Sequence, residues 1–274
     1  MELWIAAKLS GGLGNRLFQT AAALGAAERS GHKAIFLLPR CGECPHGAFH
    51  TIFQMFPSIP VVEVATHWYT ITEGKNHYEY YPIEVPSGHN VVILGYRQSH
   101  KYFPSYPISV DWDSVLKEKA TQIQIETQLH TEEARANTVM LHVRLGDYKV
   151  LKHHQQELAE YYGEALQNAR PGQRLHLFSD EPQLCQAIFE ELALKLNLSF
   201  TVAKVRSDVE SLYEMSLCQG GSITANSTFS WWGAYFAHQQ NPHNKHWATY
   251  PERWGQGMPV PRDLIPDWGT VVSV

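Results

Sequence analysis

LWIAAKLSGGLGNRLFQTAAALGAAERSGHKAIFLL, residues 3–38, decides the fold class. LWIAAKL (3–9) is an apolar run of strand length. GGLGN (11–15) is a turn. Leu17, Phe18, Ala21, Ala22 and Leu24 then recur at helical spacing, and the pattern stops at Gly31. KAIFLL (33–38) is a second strand. A strand, a helix and a strand within so short a span predict a βαβ unit and therefore a parallel sheet.

The same alternation returns further along. VVILGYRQSHKYFP (91–104) reads as a strand entering a polar, aromatic loop, and 114–129 as one long helix. The polar stretch HTEEARANT (130–138) separates this half from a second series. That series has strands at 139–143, 174–180, LSFTVA and 221–225, with helices between them and another entered at NSTFSWW. Residues 40–90 are irregular and rich in Pro, His and aromatic residues. The chain of 274 residues is 44% hydrophobic, enough for about two domains of ~100–150 residues. The expected division is 1–130 and 131–274, with the C-terminal tail free to pack back on the first domain.

Composition narrows the function. A net charge of -5 without a basic block argues against nucleic acid, which needs a concentrated cationic surface. No run of about 18 apolar residues is present, so no membrane span is expected. The N-terminus lacks the basic start of a signal peptide, and four cysteines do not make a disulfide framework; both point to a cytoplasmic protein. Aromatic residues at 12% suit sugar-binding surfaces as well as cores.

In parallel sheets ligands bind beyond the carboxyl ends of strands, and three such ends are polar here. LHVRLGDY (141–148) sets Arg144 and Asp147 around a glycine. A guanidinium there can grip a diphosphate in bidentate fashion, or can simply pair with Asp147 on the surface. Asp180 ends the next strand; it can accept two N–H bonds from a guanine edge or cap the following helix. Asn226, Ser227, Thr228, Phe229 and Ser230 offer hydroxyls and N–H groups at a helix start, suited to phosphate or to plain capping. Gly12 and Gly14, before Asn15 and Arg16, let backbone approach an anion or a sugar, or merely close a tight turn. No Lys-Ser/Thr follows, so this is not a P-loop, and Leu17 stands where a dinucleotide fingerprint needs glycine.

Two patterns resemble metal sites. Asp111-Trp-Asp113 is an Asp-x-Asp, but it precedes a helix, where capping explains it better. Cys41, Cys44, His46 and His50 are crowded into ten residues, unlike a finger with two separated ligand pairs.

GGLGNRLFQTAAA (11–23), LGYRQSHKYF (94–103), LHVRLGDY (141–148) and ITANSTFSWWGAYF (223–236), in this order, closely resemble the GDP-fucose-dependent α-1,2-fucosyltransferases of glycosyltransferase family 11. The likeness spans about residues 8–255. It implies a GT-B-like α/β fold, two Rossmann-like domains facing across a cleft, the first on the acceptor side and the second holding GDP-fucose. It implies inverting transfer of fucose from GDP-β-L-fucose to the 2-hydroxyl of a galactose-terminated glycan, with no required metal or further cofactor. By position, Arg144 would hold the diphosphate, and His142 and Asp180 would lie near guanine. Ser227, Thr228 and Ser230, in the turn completed by Asn226 and Phe229, would contact phosphate. Asn15, with Gly12 and Gly14, would sit near the reacting centre. Asp147 is the candidate base. The family often has a second arginine after His-Val-Arg; here Leu145 stands in its place. Two alternatives are a GDP-fucose transferase of another linkage or acceptor, and a non-catalytic nucleotide-sugar or glycan-binding module.

Overall fold

The computed structural model describes residues 2–37, 50–62, 67–103, 107–146, 159–241, 246–255, 257–258 and 260–273. Asp147 and the Cys41, Cys44 and His46 cluster lie outside them. The chain forms two units. One comprises Met1–Asp111 with Pro261–Pro266, the other Trp112–Val260 with Asp267–Val274.

In the first unit, β1 (Trp4–Ala7), α1 (Leu13–Ser30) and β2 (Lys33–Leu37) form the expected βαβ opening. The Ala-rich face of α1 is buried, and the helix ends at the left-handed Gly31. Within 40–90, where sequence shows no pattern, stand α2 (His50–Met55), β3 (Val61–Val62) and β4 (Tyr69–Ile71). β5 (Val91–Ile93) completes a parallel sheet of order β3-β2-β1-β5-β4. The order reverses between β1 and β5, so the glycine loop after β1 and the loop after β5 leave the same sheet edge side by side. Residues 261–266 return to this unit: Tyr80 N donates to Asp263 Oδ2 at 2.7 Å, and Ser99 Oγ to the Asp263 carbonyl at 2.7 Å.

The second unit begins with α3 (Trp112–Leu116) and α4 (Glu118–Glu126). They replace the single helix expected over 114–129, because Lys117 between them takes a left-handed φ of 55°. Both pack onto this unit's own helices, Trp112 against Tyr213 and Phe236, and Gln124 through a hydrogen bond to Tyr213. The units therefore divide at Asp111–Trp112, ahead of the polar stretch 130–138. That stretch holds α5 (Glu132–Ala136), capped by Thr131.

β6 (Thr138–Val143), α6 (Ala159–Leu166), β7 (Arg174–Ser179), α7 (Pro182–Lys195), β8 (Ser199–Val202), α8 (Asp208–Ser216), β9 (Gly221–Ile223) and α9 (Thr228–Gln239) alternate as predicted. β10 (Ala248–Pro251) and β11 (Gly269–Val272) extend the sheet. All pairings are parallel, in the order β11-β10-β9-β6-β7-β8. Numbered within the unit this is 6-5-4-1-2-3, the doubly wound Rossmann order, whose switch point lies between β6 and β9. β6 is buried at every position, as a central strand covered on both faces must be. Val139, Leu141 and Val143 pack with Tyr161, Tyr162, Leu175, Leu177 and Phe189. Among the described residues no helix is long and apolar enough to cross a membrane.

Candidate active site

The switch point of the second sheet gathers the polar strand ends. β6 pairs with β7 up to Val143–Ser179 and with β9 up to Leu141–Ile223. Adjacent strands lie ~4.8 Å apart, so Arg144, Asp180 and Asn226 leave the sheet as neighbours. Arg144 Nη1 meets Asp180 Oδ2 at 3.1 Å. The same carboxylate accepts the N–H of Leu145 on Oδ1 and of Gly146 on Oδ2, each at 2.9 Å. A Cβ on Gly146 would run into Asp180 Oδ2, which explains the glycine. Asp180 does not cap the next helix, whose N-cap is Glu181. Its two N–H bonds come from the chain's own loop, so the carboxylate holds the turn that presents Arg144. Leu145, where the family often carries arginine, packs its side chain against the core.

His142 lies one strand position short of this turn and is buried. Its carbonyl accepts the Tyr162 hydroxyl at 2.9 Å, and its ring lies 6.1 Å from that of Phe229. Burial, helped by the charge of Arg144, pushes its pKa down to about 4, so the imidazole is neutral at pH 7. Its Nδ1 is buried without a hydrogen-bond partner. A buried polar atom left this way is uncommon and calls for a partner such as a water or a ligand group.

The turn into α9 divides its labour. Asn226 Nδ2 donates to the Trp254 carbonyl at 3.0 Å. Ser230 is fully buried, and its Oγ accepts the Ala225 N–H at 3.0 Å. These two brace the turn, with the Ser230 hydroxyl, expected to contact phosphate, buried and turned toward the Ala225 N–H. Ser227 is the N-cap and makes no side-chain cap bond; Thr228 and Phe229 are half-buried. The first-turn N–H groups of a helix lack acceptors within it, and its N-terminal end is positive. Arg144 and this helix start thus stand on the two sides of the β6–β9 switch point, an arrangement suited to a dianionic group.

At the edge of the first sheet, α1 starts immediately after Gly12, its N-cap, with no side-chain cap bond. Gly11 has φ 74°, and a Cβ there would lie 2.6 Å from Asn15 Nδ2, so the Asn15 amide folds over it. Gly14 and Arg16 are buried; Arg16 belongs to the core rather than to a binding surface. Asn15 Oδ1 accepts Gln98 Nε2 at 2.8 Å across the β1–β5 switch point. The sequence marks the 94–103 loop as polar and as one of the blocks that carry the family resemblance, but gives Gln98 no role of its own. Among the described residues no cluster of three or more His, Cys, Asp or Glu could hold a metal.

Residues 73–242, well over half of the chain, match the sequence profile of glycosyl transferase family 11. The chain belongs to that family. No curated protein matches it in sequence. Solved structures show the fold this family 11 protein adopts. NodZ α-1,6-fucosyltransferase soaked with GDP-fucose is 13% identical, covers 86% of this chain and 93% of its own, and superposes with a TM-score of 0.50. POFUT1 in complex with GDP-fucose is 13% identical over 94% of this chain and 98% of its own, with a TM-score of 0.52. POFUT1 in complex with GDP is 12% identical, covers 90% and 97%, and also reaches 0.52. At these identities the likeness concerns architecture: α/β, with two Rossmann-like parallel sheets, of the GT-B class. The family 11 enzyme is a glycosyltransferase built on that frame.

Proposed function

We propose that this glycosyltransferase transfers L-fucose from GDP-β-L-fucose to the 2-hydroxyl of a galactoside with inversion, forming an α-1,2 linkage. One observation carries the donor assignment: Arg144 and the uncapped start of α9 flank the β6–β9 switch point of the second sheet. Departure of GDP develops negative charge on the β-phosphate while the fucosyl carbon becomes oxocarbenium-like. A guanidinium and helix-end N–H groups presented at the same sheet edge are suited to stabilise that charge without reorganisation. His142 supplies a neutral ring with an unpartnered Nδ1 for the guanine, and Asp180 positions Arg144. The family resemblance assigns Asn15 to the reacting centre, and Asp147, near Arg144 in sequence, is the candidate to take the acceptor proton. Donor names in the solved relatives, GDP-fucose with NodZ and with POFUT1, support the choice of sugar nucleotide.

Arg144→Ala should lower turnover on the order of a hundredfold or more. The assay incubates purified protein with GDP-fucose and a panel of galactosides in EDTA, follows GDP release, and reads the product linkage by NMR. Near-normal transfer by Arg144→Ala would remove its role. Binding of GDP-fucose with no release of GDP in the presence of any acceptor would leave a non-catalytic nucleotide-sugar-binding module. A second reading, transfer to another hydroxyl, is favoured by the α-1,6 specificity named for NodZ; the NMR linkage separates it.

A further inference from the structure

Glu73 stands two residues beyond the end of β4, at the sheet edge from which the glycine loop and the 94–99 loop also leave. Its side chain is only 3% exposed. A carboxylate so placed costs several kcal/mol in lost hydration unless hydrogen bonds replace it. Here three donors do so. Glu73 Oε1 accepts the Arg97 N–H at 2.6 Å, and Oε2 accepts the Tyr96 N–H at 2.9 Å and His77 Nδ1 at 2.7 Å. Gly95 has no side chain because a Cβ there would run into Glu73.

The carboxylate therefore shapes the loop after β5. Arg97 takes φ 54°, an uncommon and strained value for a residue with a side chain. Its buried guanidinium locks that conformation through Leu94 O at 3.1 Å, Ile71 O at 3.3 Å and the Tyr102 hydroxyl at 3.3 Å. The next residue is Gln98. Its N–H donates to the His77 carbonyl at 3.2 Å, and its side chain reaches Asn15 Oδ1 at 2.8 Å. With its oxygen held by Gln98, the Asn15 amide keeps its nitrogen over Gly11. One continuous set of bonds thus runs from a buried carboxylate, through a strained backbone, to the amide above the glycine loop.

We propose that Glu73 is a positioning residue of the transfer reaction, fixing the orientation of the Asn15 amide through the Tyr96–Gln98 segment. The assignment rests on the reading that Asn15 serves the reacting centre. It makes no demand for a substrate contact by Glu73 itself; the residue acts by denying Asn15 its other rotamers.

The test uses the full chain with Glu73→Gln, Gln98→Ala, Asn15→Ala and the Glu73→Gln/Asn15→Ala double variant. Turnover and KM for GDP-fucose, thermal midpoint, and amide hydrogen exchange across 11–17 and 95–98 are measured. Glu73→Gln should lower kcat on the order of tenfold with little change in KM, and speed exchange at 11–17. In the Asn15→Ala background it should cost nothing more, because both act through one amide. The same factor lost in both backgrounds, or unchanged kcat and exchange in a folded Glu73→Gln, overturns the proposal. Should Glu73→Gln fail to fold, Gln98→Ala decides, since it cuts only the last link: a kcat equal to the parent's overturns the proposal, and a matching loss sustains it. If the parent itself releases no GDP from GDP-fucose, the functional reading fails separately, and exchange at 11–17 still judges the clamp.

Discussion

Asp180 is the residue whose meaning changed most between sequence and structure. Alone in the sequence it is a carboxylate at a strand end, open to a base edge or a helix cap. In the fold its oxygens take the N–H groups of Leu145 and Gly146 and face Arg144. Asp180→Asn would place an NH₂ group where one of those donors points, so donor would meet donor. Hydrogen bonds to a charged group contribute ~1.5–3 kcal/mol, less where the group is partly exposed as here. About a tenfold loss in kcat/KM for the donor is expected. Gly146→Ala should give a similar loss by pushing the carboxylate aside. Donor titration and steady-state kinetics check both; unchanged donor KM and kcat in a folded Asp180→Asn would show that Arg144 does not depend on it. Arg144 was legible from sequence because a fixed cation after an apolar strand is a local signal. Its partner was not, since Asp180 is joined to it only by the neighbouring strand.

At the scale of elements, helix starts and strand cores obey local rules and were readable. Ser207 caps α8 in a reciprocal capping box with Glu210, as the Ser-Asp-Val-Glu run suggests. What local rules miss is the polar bracing between elements. His176 on β7 bonds Thr201 on β8 at 2.7 Å and Glu214 on α8 at 2.8 Å. Glu214 in turn bonds Arg206 at 2.6 Å, and Arg206 bonds Glu126 of α4 at 2.7 Å. Glu214 is buried, so its removal strands His176 and the Nε of Arg206. Glu214→Ala should destabilise the second unit by about 3–5 kcal/mol. Urea unfolding followed by tryptophan fluorescence checks this; a change below about 1 kcal/mol would mean water replaces the lost carboxylate. The break of the expected long helix at Lys117 belongs here too. Residues 114–129 contain no Gly or Pro to mark a break, so the turn at Lys117 that lets Trp112 of α3 and Gln124 of α4 both meet Tyr213 carries no local signal.

For the whole molecule, buried histidines set the response to acid. His142 is pushed down to about 4 by burial and Arg144, and His246 to about 3 by burial and His238. Unfolded, both titrate near about 6.5. Below that value the unfolded chain binds more protons than the folded one, so stability falls as pH drops from about 6.5 toward 4. Glu126 and Glu210, pulled from 4.5 to about 2 chiefly by Arg206 and Lys119, add stability above their ordinary range that is lost progressively as pH falls from 4.5 through about 2. Thermal midpoints measured from pH 7.5 to 4.5 should be level above about 6.5 and decline below it. His246→Gln should flatten part of that decline, and an identical slope in the variant would exclude His246 as a contributor.

Sequence by itself determined the parallel α/β class, the alternation of strands and helices, the polar strand ends and the block pattern of family 11, because periodicity, glycine turns and motif spacing are properties of neighbouring residues. Only the tertiary structure decided that Asp180 holds the Arg144 turn, that Ser230 faces inward, that α3 and α4 join the second unit, and that Glu73 reaches Asn15 through Gln98. The short strands β10 and β11, four residues each, were likewise invisible until a sheet existed for them to join. The physical reason is common to all of these. A hydrogen bond or a packing contact depends on which loops the strand order sets side by side, and that order joins residues far apart in the chain.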